Sequence, residues 1–147
     1  MAQYILPEGS ITLPVDDDVQ DVSVTLLRFP LRGTSLTISR APLSAGQNVR
    51  DIYQQQLEQV RKKQKHFVIR EQRETSAGVD GCVSGTEILC QYAHNDSTMC
   101  QYQFAGQCGQ WITVFCYSRL GDFTRDDIAH WRSVLDSFTL AENSQEG

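Results

Sequence analysis

The chain has 147 residues and a mass of 16.6 kDa, with 40% hydrophobic and 21% charged residues, values typical of one folded domain with a substantial core. The formal net charge of -5 and the pI near 5.1 argue against a nucleic-acid binder, which needs a basic surface to neutralise phosphates. No apolar segment is long enough to span a bilayer, so we expect no direct membrane insertion.

The beginning of the chain is predicted to be β-structure. Two short apolar pieces, Tyr4 to Leu6 and Ile11 to Leu13, predict two short strands. Apolar and polar residues then alternate over Val19 to Phe29 and over Ser35 to Ala41, which predicts two further strands. Pro30 ends the first of these two because proline cannot donate to a sheet ladder.

The clearest helical pattern follows, over residues 48–67, with Asn48 as its N-cap. Five apolar residues recur there at helical spacing: Val49, Ile52, Tyr53, Leu57 and Val60. The next segments, Phe67 to Thr75 and Cys82 to Ala93, are predicted to be strands separated by a loop.

A β-hairpin is predicted next, with strands at Cys100 to Phe104 and Trp111 to Tyr117 and a turn at Ala105 to Gly109. The second strand is apolar on both faces, so we expect both of its faces to be covered. In the first strand, Gln101 and Gln103 project opposite the apolar face, because side chains alternate along a strand.

The last helix is predicted over residues 124–138, since Thr124 and Asp127 have the spacing of a capping box. Four apolar residues of this segment are expected to be buried: Ile128, Trp131, Leu135 and Phe138. Residues 141–147 form a polar tail. The order of strands, helix, strands and helix predicts a single α+β domain over residues 1–140, with a largely antiparallel sheet and two main helices.

Residues able to carry catalysis are few. The five cysteines lack a C-x-x-C pair, so neither a disulfide framework nor a zinc site is indicated, and we read them as buried apolar residues of a reducing compartment. A Cys116–His130 dyad stays open as an enzymatic alternative, because such partners meet in space rather than in order. We otherwise expect no enzymatic activity, no metal and no cofactor.

Uncharged hydrogen-bonding residues share strand faces. Ser35, Thr37 and Ser39 lie on one face of their strand, and Gln101 and Gln103 on one face of theirs. Such a face is typical of a sheet surface exposed to water. It also fits a groove for a mostly apolar partner that carries small polar groups.

Five segments resemble a known family: Tyr4 to Ile11, Asp21 to Val24, Ser35 to Arg40, Gln101 to Phe104, and Trp131 with Leu135 to Phe138. They are similar to the DcrB-like domain of the Eag chaperones, the effector-associated chaperones of type VI secretion. The resemblance covers almost the whole chain. It implies a PsbP-like α+β fold and a homodimer.

The resemblance also implies a function. Such a chaperone binds and shields the N-terminal transmembrane helices of a toxin effector in the cytoplasm before export. The residues that match the groove of that family are Ser35, Thr37, Ser39, Gln56 and Gln101, with Val22 and Val24 as apolar companions and Gln103 beside Gln101. The N-terminus lacks the features of a secretory signal, in agreement with a cytoplasmic protein. The alternative is a module that binds a lipid or another small hydrophobic ligand without catalysis, in a closed pocket.

Overall fold

The protein is an α+β structure, as predicted, with two helices and a six-stranded antiparallel sheet in the residues that the structure describes. A computed structural model describes residues 2–6, 8–13 and 24–140. Its elements are β1 (Ala2–Leu6), β2 (Gly9–Leu13), β3 (Val24–Phe29), β4 (Thr34–Pro42), α1 (Val49–Lys63), β5 (Val68–Ala77), β6 (Val83–His94), β7 (Ser97–Cys108), β8 (Trp111–Leu120) and α2 (Arg125–Asp136). A short 3-10 turn, Val79–Gly81, separates β5 from β6.

The strands form two sheets. β1 pairs with β2, as an N-terminal hairpin, and the other six strands form one antiparallel sheet in the order β3-β4-β8-β7-β6-β5. β3 and β5 are therefore the edges of the six-stranded sheet. β8 lies in its interior, between β4 and β7.

The two helices pack on opposite faces of this sheet. On the α1 face, Tyr53 and Leu57 of α1 pack against residues of β6, β7 and β8: Ile88, Cys90, Ala105 and Ile112. On the α2 face, Trp131 and Leu135 of α2 pack against Leu36, Phe104, Phe115 and Tyr117. The prediction that both faces of β8 are covered is confirmed for the α2 face and for Ile112 on the α1 face, whereas Val114, Cys116 and Ser118 on the α1 face are half-buried and Trp111 remains 41% exposed.

Helix α1 begins where predicted and ends earlier. The Asn48 side chain accepts a hydrogen bond from the Arg50 amide at 2.8 Å, which confirms the N-cap. The predicted end at Phe67 is wrong, because the helix stops at Lys63 and His66 adopts a left-handed φ of 58°. The Lys65 carbonyl instead accepts a hydrogen bond from the Ala93 amide, which leads the chain into β5.

The predicted turn between β7 and β8 is too long. Strand β7 continues through Ala105 and Gly106 to Cys108, and the turn consists of Gly109 and Gln110. A Cβ at Gly106 would collide with the side chains of Val83 and Phe104, so this glycine serves close packing within the sheet. The turn itself uses Gly109, whose φ is 63°.

Helix α2 has the predicted capping box. The Asp127 amide donates to Thr124 Oγ1 at 3.1 Å, and the Thr124 amide donates to Asp127 Oδ2 at 2.9 Å. Trp131 and Leu135 are buried as predicted, whereas Ile128 is 42% exposed, so its predicted burial is wrong.

Some predictions concern residues outside the described ranges. These are the start of the third predicted strand at Val19 to Val22, the groove residue Val22, and the polar tail at residues 141–147. Neither described helix, of 15 and 12 residues, has the length and apolar character needed to cross a membrane.

Candidate functional site

The predicted site residues of the sheet lie on one face, the α1 face. In the register of the sheet, Gln103 is directly opposite Cys116, and Cys116 is directly opposite Thr37. Residues directly opposite each other in an antiparallel pair project from the same face. The sheet therefore brings the glutamines of β7 and the hydroxyl residues of β4 onto one surface, with β8 between them.

Helix α1 covers only part of this surface. Tyr53 and Leu57 lie over β6, β7 and the first residues of β8. On the same face, the side chains of β4 and the rest of β8 are half-buried, and those of β3 are exposed. In the described part of the chain, an open strip thus runs along β8, β4 and β3 beside α1. We call this strip, with the neighbouring residues of β7, the groove.

Three rows of side chains cross the groove from β7 to β3. The apolar row consists of Ala105, Val114, Ser39 and Val24. The middle row consists of Gln103, Cys116, Thr37 and Leu26. The donor row consists of Gln101, Ser118, Ser35 and Arg28. Successive rows are two residues apart along each strand.

A chain of hydrogen bonds orders the polar side chains beside α1. The Tyr53 hydroxyl donates to Gln103 Oε1 at 2.7 Å, and Gln103 Nε2 donates to Gln101 Oε1 at 2.9 Å. Gln101 Nε2 then donates to Ser118 Oγ at 3.2 Å and to the Tyr92 hydroxyl at 3.4 Å. Each amide is held from two sides, so the groove presents polar groups in fixed orientations.

The titratable groups along this chain are held neutral. Burial, with the nearby Cys116 and Cys100, raises the pKa of Cys90 to about 12, and burial raises the pKa of Cys116 to about 11. Burial also raises the pKa of Tyr53 far above its ordinary value. These three side chains stay protonated at neutral pH, so this part of the groove offers hydrogen bonds without charge.

The Cys116–His130 dyad is not assembled. Cys116 projects from the α1 face, whereas His130 Nδ1 is 2.8 Å from the Tyr117 hydroxyl on the α2 face. The sheet therefore separates the two side chains. Within the described ranges, no three His, Cys, Asp or Glu residues come together in a way that could hold a metal ion.

The other two predicted site residues in the described ranges, Val24 and Gln56, lie on different elements. Val24 lies at the edge of the groove and is 56% exposed. Gln56 is an exposed residue of α1, and its side chain makes no hydrogen bond to another described residue. Gln56 therefore lies on α1, outside the three rows of side chains on the sheet.

Some groove residues were not predicted. Leu26 and Arg28 follow Val24 at the two-residue period of a strand, and Ser118 follows Cys116 in the same way, so alternation could have indicated them. Tyr53 carried no such signal. Its partner Gln103 is 50 residues away, and only the packing of α1 on β7 brings the two together.

Several cavities lie outside the groove, and two of them bear on function. One, of about 560 Å³ at the start of α1, is lined mainly by polar residues and contains Arg50 and Glu74, whose side chains are 3.6 Å apart. The other, of about 400 Å³ on the α2 face, is lined by Ile38, Phe115 and Phe138 among others. Only the second has the apolar lining expected for a hydrophobic ligand.

Comparisons with known proteins give two findings. The model of a protein family described as DcrB matches residues 8–137. Among solved structures, the chain is similar to a crystal structure of a protein of unknown function from Pseudomonas aeruginosa, with a TM-score of 0.67 and 19% identity over 96% of this chain and 97% of that chain. At this identity the likeness concerns the fold alone. No curated protein matches the chain.

Proposed function

The chain belongs to the DcrB family, and on this premise we propose that it is a chaperone for apolar membrane-spanning helices. We further propose that its client is the N-terminal transmembrane region of a toxin effector of type VI secretion. The chaperone would hold this region in the cytoplasm before export, without catalysis. Two such chains would act together as a homodimer.

The observation that supports this proposal is the mixed chemistry of the groove. Apolar side chains such as Val24 and Leu26 stand beside the hydroxyl of Thr37 and the ordered amide of Gln103. Membrane helices associate through close packing and through hydrogen bonds from small polar side chains. A surface that offers both can replace a neighbouring helix and keep an aggregation-prone apolar segment out of water.

The dimensions of the groove agree with a helix as its occupant. Adjacent strands lie about 4.8 Å apart, so β8 and β3 are separated by about 10 Å, close to the diameter of a helix. From the apolar row to the donor row the groove is about 13 Å long, whereas a membrane-spanning helix is about 30 Å long. One protomer therefore covers less than half of such a helix, which supports the proposed homodimer.

A charge in the middle row tests the proposal. We expect Thr37→Lys to weaken binding of an apolar helix by about tenfold or more, because the ammonium would have to be desolvated against it. A suitable probe is an acetylated and amidated Leu/Ala peptide of about 20 residues with a central Ser. Its binding is measured by fluorescence anisotropy.

The matched control is Thr25→Lys. Thr25 is an exposed residue of β3 that projects from the α2 face, opposite Ile38. This variant should bind the peptide as the unmodified protein does. If Thr37→Lys binds equally well while both variants keep their melting temperature, the groove does not hold the helix.

The assignment to type VI secretion has a separate test. Reading the neighbouring genes should reveal a toxin whose N-terminus contains apolar segments of membrane-spanning length. Co-expression with that segment should then yield a soluble complex. Recovery of the segment only as an aggregate would contradict the chaperone role.

The apolar cavity on the α2 face favours a second candidate function, binding of a small hydrophobic ligand. Its lining includes Ile38, Phe115, Phe138 and Leu140. If this is the function, a fluorescent fatty acid should bind with micromolar affinity and Ile38→Arg should abolish the binding. Absence of fatty-acid binding by the unmodified protein would dismiss this candidate.

A further inference from the structure

The groove is asymmetric along its length, and this asymmetry suggests a direction for the bound helix. The apolar row presents Ala105, Val114 and Val24 together with one hydroxyl group, that of Ser39. The donor row, about 13 Å away along the strands, presents an amide, two hydroxyls and a guanidinium. One end of the groove is therefore nearly apolar, and the other is rich in hydrogen-bond donors.

Arg28 makes this end positively charged as well. Its side chain is exposed, and no carboxylate of the described residues lies within ion-pair distance of it. Arg119, which lies near the same end, is by contrast 3.3 Å from Asp127. Among the twelve residues of the three rows, Arg28 carries the one formal charge at neutral pH.

Donors are available in the donor row. The Ser118 hydroxyl oxygen accepts from Gln101 Nε2 and lies 3.6 Å from Cys116 Sγ, where either atom could be the donor. The Ser35 hydroxyl makes no hydrogen bond within residues 24–140. Arg28 adds five N–H donors and no acceptor. Beyond this row, a cavity of about 400 Å³ is lined by Met99, Leu120 and Arg28 among others, which leaves room for the end of a segment.

The two ends of a helix differ in what they require. The last four carbonyl groups of a helix have no partner within it and need donors. The same end carries the negative pole of the helix dipole, which a neighbouring cation stabilises. The N-terminal end has the opposite requirements, since its free amides need acceptors and a cation there is unfavourable.

We propose that the groove binds its helix in one direction, with the C-terminal end at the donor row and Arg28 as the residue that selects it. This inference rests on the proposed function, since it concerns the occupant of the same groove. An apolar helix would otherwise fit the groove in either direction, because packing alone does not distinguish its two ends. The charge of Arg28 provides the distinction, because a hydroxyl such as that of Ser35 can accept as well as donate.

The test uses two photo-reactive versions of the capped Leu/Ala peptide described above. One carries a benzophenone at its first residue and the other at its last. After irradiation with the full-length protein, the attached residue is located by mass spectrometry. We expect the C-terminal probe to label Met99 and Leu120 about tenfold more than the N-terminal probe does, because the first residue of a helix about 30 Å long would lie about 17 Å beyond the apolar row.

Two variants test whether Arg28 causes the preferential labelling of Met99 and Leu120 by the C-terminal probe. Arg28→Gln should reduce it to less than about twofold, because it removes the cation and keeps most of the side chain. Arg40→Gln is the matched control, since Arg40 is an exposed residue of β4 that projects from the α2 face opposite Thr113. This control should keep the full preference.

Three other results would contradict the direction, the role of Arg28 or the proposed function. Equal labelling of both ends in the unmodified protein, or the reverse preference, would overturn the proposed direction while the proposed function stands. A preference that persists in Arg28→Gln would overturn the role of Arg28. If neither peptide binds or labels the groove, the proposed function fails together with the direction.

Discussion

At the scale of single residues, Glu87 is a buried carboxylate that three donor side chains contact. Its side chain is only 5% exposed, and it joins β6 to α2. It accepts hydrogen bonds from Trp131 Nε1 at 2.8 Å and from Arg132 at 2.7 Å, and Arg73 is 2.7 Å away. Burial alone would raise the pKa of Glu87, but these donors outweigh burial and hold the pKa below its ordinary value.

The first prediction follows from these contacts. Glu87→Gln should lower the free energy of unfolding at neutral pH by about 2 to 3 kcal/mol, since it weakens hydrogen bonds to charged partners that are themselves partly exposed. Because the pKa is lower in the folded state, the contribution of the carboxylate is present above its unfolded pKa of about 4.3 and is lost as the pH falls through the folded value.

Urea unfolding of both proteins over a range of pH measures this contribution. The difference between them should shrink as the pH falls below about 4. A difference that stays constant down to the lowest pH would show that Glu87 acts through packing rather than through its charge.

The second prediction concerns the cysteines. Cys82 is exposed, whereas burial raises the pKa of Cys90 to about 12 and that of Cys116 to about 11. Iodoacetamide at about pH 8 should therefore modify Cys82 in the native protein and leave Cys90 and Cys116 unmodified until the protein unfolds. Mass spectrometry of the digested protein locates the label. Rapid modification of native Cys116 would instead indicate a reactive thiol and revive the enzymatic alternative.

At the scale of elements, the edge strand β3 is unusual because it is apolar on both faces. Val24 and Leu26 on the α1 face are 56% and 51% exposed, and Leu27 on the α2 face is 46% exposed. An exposed apolar edge strand is a hazard for aggregation unless a partner covers it. The position of β3 along the groove makes the client or a second protomer the partner that we expect.

The third prediction uses the two faces of this strand. Leu26→Lys should weaken binding of the Leu/Ala peptide, because it places a charge in the middle row. Leu27→Lys, at the next residue and with similar exposure, should leave binding unchanged because it projects from the other face. Both variants should keep a melting temperature within a few degrees of the unmodified protein. Equal loss of binding in the two variants would show that the charge acts on the strand as a whole rather than in the groove.

At the scale of the whole molecule, the sheet order creates the groove. The interior strand β8 separates β4 from β7, and α1 crosses only one side of that face. One protomer therefore presents an open surface that is shorter than a membrane-spanning helix, by the dimensions given above. A second protomer facing the first would enclose more of such a client.

The fourth prediction is the state of association. We expect two chains to associate at micromolar concentration, which sedimentation velocity or light scattering can measure. Association buries apolar surface such as the exposed side of β3, so it should persist at high salt. A strictly monomeric protein that still binds the Leu/Ala peptide would contradict the proposed arrangement.

Much of the local structure could be predicted from the sequence, because it depends on neighbours in the chain. The caps at Asn48 and Thr124 follow from side chains that bond to amides two or three residues away. The common face of Ser35, Thr37 and Ser39 follows from strand alternation. The error at Phe67 has a local cause, because Gln64 takes up extended dihedral angles directly after Lys63. The error at Ala105 does not, because β7 continues through Gly106, which packs closely against Val83 of β6.

The sequence by itself thus determined the type and order of the main helices and strands and which side chains share a face. Only the tertiary structure decided that β8 lies between β4 and β7, so that the hydroxyls of Thr37 and Ser39 join the amides of Gln101 and Gln103 in one groove. It also decided that Tyr53 contacts Gln103 and that Cys116 and His130 lie on opposite faces of the sheet. The physical reason is that strand order and helix placement depend on contacts between distant parts of the chain, whereas propensity, capping and alternation act over a few residues.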